Sequence, residues 1–282
     1  HQHLQHYHSY AIMRYLEHVK SGKNGGGWID PYVRRTLDRY GEQIELTLFA
    51  KPREVTLFCF GSLLESVKQQ DGSPKLVSMV ATVAGSVFEQ ADSFLDQLGQ
   101  PYGLASYKPY HTSGEDYLPN YIGMLGIPID LVPEFPTNSK TLLLTECAAF
   151  DDEIVAKIQG QLLDGKRVVI TSGLLKALQS KALQGRGIEE IVELEYTDKK
   201  ALVREFSRFA DVYHSDTDLL IPQIKYATND AWERITCLDK DNGYPLLLEI
   251  PYGNSALYVL TIPDNFSDLY HLPPETLTQI KQ

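Results

Sequence analysis

Residues 141–173 read TLLLTECAAFDDEIVAKIQGQLLDGKRVVITSG, and this stretch decides the fold. TLLLT is a short apolar run with strand character. Asp151 caps a helix that runs to Leu163 and is closed by Gly165, and RVVIT at 167–171 is the next strand. Two strands joined by a helix of this length require a right-handed crossover and therefore parallel pairing.

The same alternation extends upstream. Strands are expected at 102–107 and 128–132, with a helix at 115–125 between them. A longer helix at 76–98 carries Val80, Val83, Ala84, Val87, Phe88, Ala91, Phe94, Leu95 and Leu98 at helical spacing and stops at Gly99. Before it, KQQDGSPK at 68–75 has the polar, Gly and Pro punctuation of a boundary. This divides the chain into 1–75 and 76–282. Within the first part, a helix at 10–20, the breaker SGKNGGG at 21–27, a second helix opened by Asp30-Pro31, and the apolar strand EVTLFCF at 54–60 form αβ units. Downstream of Gly173 the pattern loosens. Residues 187–196 suit an edge strand or hairpin, 199–209 read as helix, and 218–226, 232–237, 245–250 and 256–262 read as strands. PYGN at 251–254 joins the last two as a hairpin.

The chain has 282 residues, of which 43% are hydrophobic, 22% charged and 10% aromatic, the composition of a folded globular protein. Thirty-seven acidic against 26 basic residues give a net charge of −11. A phosphate-binding surface needs cationic neutralisation, so neither nucleic acid nor an anionic membrane is an expected partner. No apolar run reaches membrane-spanning length and no signal peptide is visible, which fits a soluble chain of cytoplasmic or periplasmic origin. Cys59, Cys147 and Cys237 fit neither a disulfide framework nor a metal site, and read as buried small residues. His1, His3, His6 and His8 crowd the start, which is not Met. A flexible terminus of this kind makes a specific metal site an unfavourable reading, and no metal or cofactor is expected.

The segments YLPNYIGMLGIPIDLVPEFP (117–136), 141–173 and PLLLEIPYGNSALYVLTIP (245–263) resemble the class I glutamine amidotransferase-like fold. They are similar in particular to the amidotransferase-like trimerisation domains that follow the barrel in some bacterial beta-galactosidase-type glycoside hydrolases. The resemblance spans roughly residues 76–282. It implies an α/β, flavodoxin-like fold: a mostly parallel sheet with helices on both faces and a C-terminal antiparallel hairpin. Residues 1–75 look like the last units of a (β/α)8 barrel, which typically needs about 250 residues. The expectation is therefore a C-terminal piece of a longer glycoside-hydrolase-like protein, forming a homo-oligomer, with carbohydrate as a candidate ligand.

The amidotransferase chemistry itself is not expected. That reaction needs a Cys nucleophile in a glycine-framed strand-to-helix turn, G-x-C-x-G, and a later H-x-E. Cys59 has Gly61 but Leu57, Cys147 has Thr145 and Ala149, and His214-Ser215-Asp216 is the nearest approach to H-x-E. Glycoside cleavage needs two facing carboxylates, and in the barrels concerned these follow strands upstream of this chain. Glu65, just past EVTLFCF, is a candidate barrel-face residue, and equally an ordinary solvated residue at a helix start. One cluster remains. Tyr107, Tyr110, His111, Ser113, Glu115, Asp116 and Tyr117 follow the strand at 102–107, and open α/β sheets place ligand crevices at C-terminal strand ends. Glu146 and Ser172, after the next strands, would converge on the same crevice. Aromatic faces with carboxylates and hydroxyls suit a sugar ring. The alternative is a capped helix start, with Ser113 as N-cap and Glu115 and Asp116 favouring the dipole, beside tyrosines at an interface.

Three roles stay open: a non-catalytic domain that organises subunits or walls the parent active site, a hydrolase using the crevice carboxylates, and a carbohydrate-binding module.

Overall fold

A computed structural model describes residues 5–30, 36–64, 79–182 and 187–282. In chain order its elements are α1 (Tyr7–Val19), β1 (Gly27–Ile29), α2 (Leu37–Phe49), β2 (Val55–Leu57), α3 (Phe60–Leu64), α4 (Met79–Asp92), β3 (Leu104–Tyr107), α5 (Leu118–Met124), β4 (Ile129–Val132) and β5 (Thr141–Leu144). There follow α6 (Ile154–Leu163), β6 (Arg167–Thr171), α7 (Ser172–Ala182), β7 (Leu194–Arg208), β8 (Asp211–Tyr226), β9 (Trp232–Leu238), β10 (Gly243–Tyr252), β11 (Ser255–Leu260) and α8 (Pro274–Lys281). Two compact units result, one of His1–Gly103 with Pro119–Leu131, the other of Leu104–Leu118 with Val132–Gln282.

In the first unit β1 and β2 pair in parallel, Trp28 opposite Thr56, so β1-α2-β2 is a parallel crossover whose first strand, at Gly27–Ile29, was not expected from the sequence. Ile29, Tyr40, Ile44, Ala84 and Val87 form its core, and Tyr40 and Ile44 lie one turn apart on the buried stripe of α2. The α2 helix begins at Leu37 after Thr36. Its expected start at Pro31, the boundary at 75 and Glu65 lie outside the described residues. The first unit is also tied by charge: Asp130 accepts from Arg14 Nε at 3.1 Å and from His18 Nε2 at 3.0 Å. Burial pushes the Asp130 carboxyl up, but the hydrogen bond from His18 and the Arg14 guanidinium outweigh it and hold the group below its ordinary pKa.

The second unit is built on a mixed sheet with strand order β3-β5-β6-β11-β10-β9-β7-β8. β3, β5, β6 and β11 are parallel neighbours. From β11 outward every pairing is antiparallel. The expectation of a mostly parallel sheet with one antiparallel hairpin is corrected accordingly: a mixed α/β fold is present, and its antiparallel part is large. Within 199–209, where a helix is expected, residues 199–208 belong to β7 and Phe209 to the turn that follows. Ala201, Val203 and Phe206 are buried, and the β7–β8 register shifts between Val203 and Glu205. A bulge breaks strict alternation and so hides the strand period.

The central strands are apolar on both faces, as a covered parallel sheet requires. Leu142, Leu143, Leu144, Val168 and Ile170 are almost wholly buried, and α6 packs Ile154, Ile158 and Leu162 into the same core. Asp151 does not cap α6 directly. Its side chain accepts from the amide of Glu153, two residues on and just ahead of α6, at 2.9 Å, and a 3-10 turn at Glu146–Phe150 precedes it.

Candidate functional site

The C-terminal ends of β5, β6 and β11 point the same way because the three strands are parallel neighbours, and a cavity of about 630 Å³ opens there. Its wall includes Glu115, Asp116 and Tyr117 from the β3–α5 loop, Glu146 after β5, Ser172 and Gly173 after β6, and Ile262, Pro263 and Asp264 after β11. Of the residues singled out in the sequence, Glu115, Asp116, Tyr117, Glu146 and Ser172 are thus brought together. Tyr107, Tyr110 and His111 do not line it. Tyr107 is buried, donating its hydroxyl to Asp151 Oδ2 at 3.0 Å and packing edge-on against Phe135. Tyr110 and His111 are exposed on the loop.

Glu115 is the pivot of this site. Its Oε2 accepts from Thr171 Oγ1 at 2.5 Å and from the Glu146 amide at 2.8 Å, and the Gly173 amide also donates to the carboxylate. Gly173 is the second residue of α7, so the carboxylate occupies the amide-rich, electropositive end of that helix. Thr171 Oγ1 meanwhile accepts from the Leu174 amide at 3.1 Å. Close packing makes these contacts: a Cβ on Gly173 would lie 2.4 Å from Glu115 Oε1. The preceding Gly114 has a φ of 141°, and a Cβ there would meet the Cys147 amide nitrogen at 2.9 Å. Glu115 itself has a φ of 50°, left-handed backbone that costs a non-glycine residue about 1–3 kcal/mol and persists only where surroundings hold it. Burial raises the Glu115 pKa, the Glu146 charge adds to this, and the hydrogen bonds oppose it.

The neighbouring groups are also engaged. Ser172 Oγ is buried and accepts from the Ile262 amide at 2.9 Å, joining the β6 and β11 ends. Asp116 pairs with Lys108 at 2.5 Å and Asp264 with Lys200 at 2.5 Å. Lys176 stands over the Tyr196 ring, 5.3 Å from its centroid. Cys147, beneath the crevice, is buried, with Sγ 3.1 Å from Thr145 Oγ1 and donating to the Tyr107 carbonyl at 3.6 Å. Burial pushes its thiol pKa up, which suppresses the thiolate that a nucleophile requires. Cys237 is buried and Cys59 partly so.

Lys176, Tyr196, Asp264 and Phe266 also line the cavity and were missed. Asp264 and Phe266 follow β11, and the placement of β11 beside β6 brings them here. A strand-end residue after 245–263 was the available signal, usable only with that neighbour known. Among the described residues no group of three or more His, Cys, Asp or Glu is arranged to hold a metal ion, and no helix is long and apolar enough to cross a membrane. His6 pairs with Glu42 at 2.7 Å and His8 contacts Asn120 at 3.0 Å; His1 and His3 lie outside the described residues.

Residues 99–265 match the family model described as "Uncharacterized protein SSO3021, second domain", and residues 1–95 match "Probable glycosyl hydrolase, catalytic domain". Among solved structures, Gan42B, a GH42 beta-galactosidase from G. stearothermophilus, is similar with a TM-score of 0.58 at 10% identity, covering 98% of this chain and 46% of that one. A beta-galactosidase from Bacillus circulans sp. alkalophilus gives 0.55 at 10% identity, with 98% and 46% covered. An alpha-L-fucosidase isoenzyme 2 from Paenibacillus thiaminolyticus gives 0.55 at 13% identity, with 95% and 44% covered. At these identities the likeness is one of fold, and the chain spans less than half the length of each. No curated protein matches the sequence.

Proposed function

We propose, for a chain that belongs over residues 99–265 to the family described as "Uncharacterized protein SSO3021, second domain", the role of a non-catalytic, amidotransferase-like unit in a glycoside hydrolase. The match of residues 1–95 to a glycosyl hydrolase catalytic-domain model and the fold shared with two beta-galactosidases support the hydrolase context. The parallel segment β3-β5-β6-β11 with α6 and α7 is the part that supports the flavodoxin-like comparison.

The observation that carries the reading is the engagement of Glu115. A general acid must present its proton to a ligand oxygen, whereas this carboxylate accepts from Thr171, Glu146 and Gly173 of its own chain. It ties the β3–α5 loop to the ends of β5 and β6. With the thiol of Cys147 buried beneath, glutaminase chemistry has no accessible thiol in the crevice. The unit then organises subunits or flanks the active site of the parent protein. The projecting β7–β8 hairpin, whose tip residue Phe209 is 89% exposed beside exposed Val212, fits a surface used between copies.

The test is to assay the chain for hydrolysis of aryl-glycosides and for release of ammonia from glutamine. Neither rate should exceed background. Turnover abolished by Glu115→Gln or Cys147→Ser would overturn the proposal, and a monomer by light scattering at high protein concentration would remove the subunit-organising role.

A further inference from the structure

A second cavity of the same unit, about 540 Å³, lies at the other end of β11 from the crevice. Three aromatic rings face it: Tyr226 at the end of β8, Trp232 at the start of β9 and Tyr252 at the end of β10. Ile191, Val192, Ile250 and Pro251 complete an apolar wall. The polar lining is Glu193, Asn229 and Asp230, the last two on the β8–β9 turn. Trp232 is 63% exposed, a large apolar surface left to water beside a concave site. Tyr226 is oriented by donating its hydroxyl to Glu233, and Trp232 precedes Glu233 on the same strand.

We propose that this cavity binds a neutral saccharide, one or two pyranose rings stacked on Trp232 with their hydroxyls bonded to Asn229 and the carboxylates of Asp230 and Glu193. A pyranose has an apolar C–H face for an aromatic ring and an equatorial rim of hydroxyls for amide and carboxylate partners. Phosphorylated ligands are disfavoured, since no Lys, Arg or His lines the cavity among the described residues while two acids do. A small alkylammonium, the other guest of aromatic and acidic groups, would leave most of this volume empty. The inference stands on this cavity alone and does not depend on the role of the crevice.

Trp28 and Trp232 are the two tryptophans of the chain, so Trp28→Phe leaves Trp232 as the single emitter. Titrating that variant with maltose, cellobiose and lactose should give a saturable change in emission for at least one, with a Kd of about 1 mM or tighter. Asn229→Ala in the same background should weaken that binding by about threefold or more. Trp232→Ala, followed by calorimetry with circular dichroism as the check on folding, should weaken it by about tenfold or more. No saturable change up to about 50 mM of each disaccharide, a saturable change with choline alone, or unaltered calorimetric binding in folded Trp232→Ala protein would each overturn the proposal.

Discussion

Replacing Glu115 by alanine removes one acceptor from three donors. Thr171 keeps a role because its hydroxyl still accepts from the Leu174 amide. The Glu146 amide belongs to an exposed residue, and water can replace its partner. The Gly173 amide in the first turn of α7 is half-buried and has less recourse than that of Glu146, so its loss of a partner costs about 1 kcal/mol, the low end of the range for an unsatisfied donor. Loss of a charge-assisted bond at Glu146 adds about 1 kcal/mol, while relief of carboxylate burial offsets part of the sum. The expected loss in Glu115→Ala is therefore about 1–2 kcal/mol in urea unfolding followed by circular dichroism near pH 7. The control Glu146→Ala, at an exposed side chain, should stay within about 0.5 kcal/mol. The pH dependence supplies an independent sign. Burial raises the Glu115 pKa above 4.5, so the folded state holds the proton more tightly than the unfolded state. The proton-linked part of its contribution to stability is fully present below 4.5 and is lost as pH rises through the raised value, while the hydrogen bonds to the carboxylate remain near pH 7. The alanine penalty should accordingly grow on acidification from neutrality down to the ordinary value of 4.5. A loss under about 0.5 kcal/mol near neutrality, or a penalty that shrinks on acidification, would refute the structural role given to this carboxylate.

Gly173→Ala should destabilise by about 1–3 kcal/mol, because its Cβ would lie 2.4 Å from Glu115 Oε1. The same change in a Glu115→Ala background should cost much less, and a double-mutant cycle that came out additive would contradict the contact. Asp130→Asn should destabilise the first unit by about 3 kcal/mol by stranding the largely buried Arg14, read by chemical denaturation. Since the Asp130 pKa is depressed, its contribution is present above the ordinary value and is lost as pH falls through the lowered one, opposite in sense to Glu115. Thiol labelling of the native chain should reach no more than Cys59, with Cys147 and Cys237 reacting only in denaturant; rapid native modification of Cys147 would be inconsistent with its burial.

Much of the local structure was legible because burial leaves a periodic trace. TLLL and RVVIT announced buried strands, and the spacing of Ile154, Ile158 and Leu162 matches the helix between them. The crevice was partly legible too, since Glu115, Glu146 and Ser172 each follow a strand and strand ends in a parallel segment share a side. Tyr107 misled because the last residue of a strand alternates in direction with its neighbours. Its side chain went into the core toward Phe135 and Asp151. At 199–209 a bulge removed the period on which the reading depended.

By itself the sequence determined an α/β chain with apolar strands, an acidic surface and no glycine-framed nucleophile, because each of these is a property of residues close together in the chain. Only the tertiary structure decided that β11 inserts beside β6, that the sheet continues antiparallel to β8, and that Glu115 binds segments 31 and 56 residues away. Periodicity records which face of a segment is buried. It does not record which neighbour buries it, and a carboxylate's partners are fixed by that neighbour.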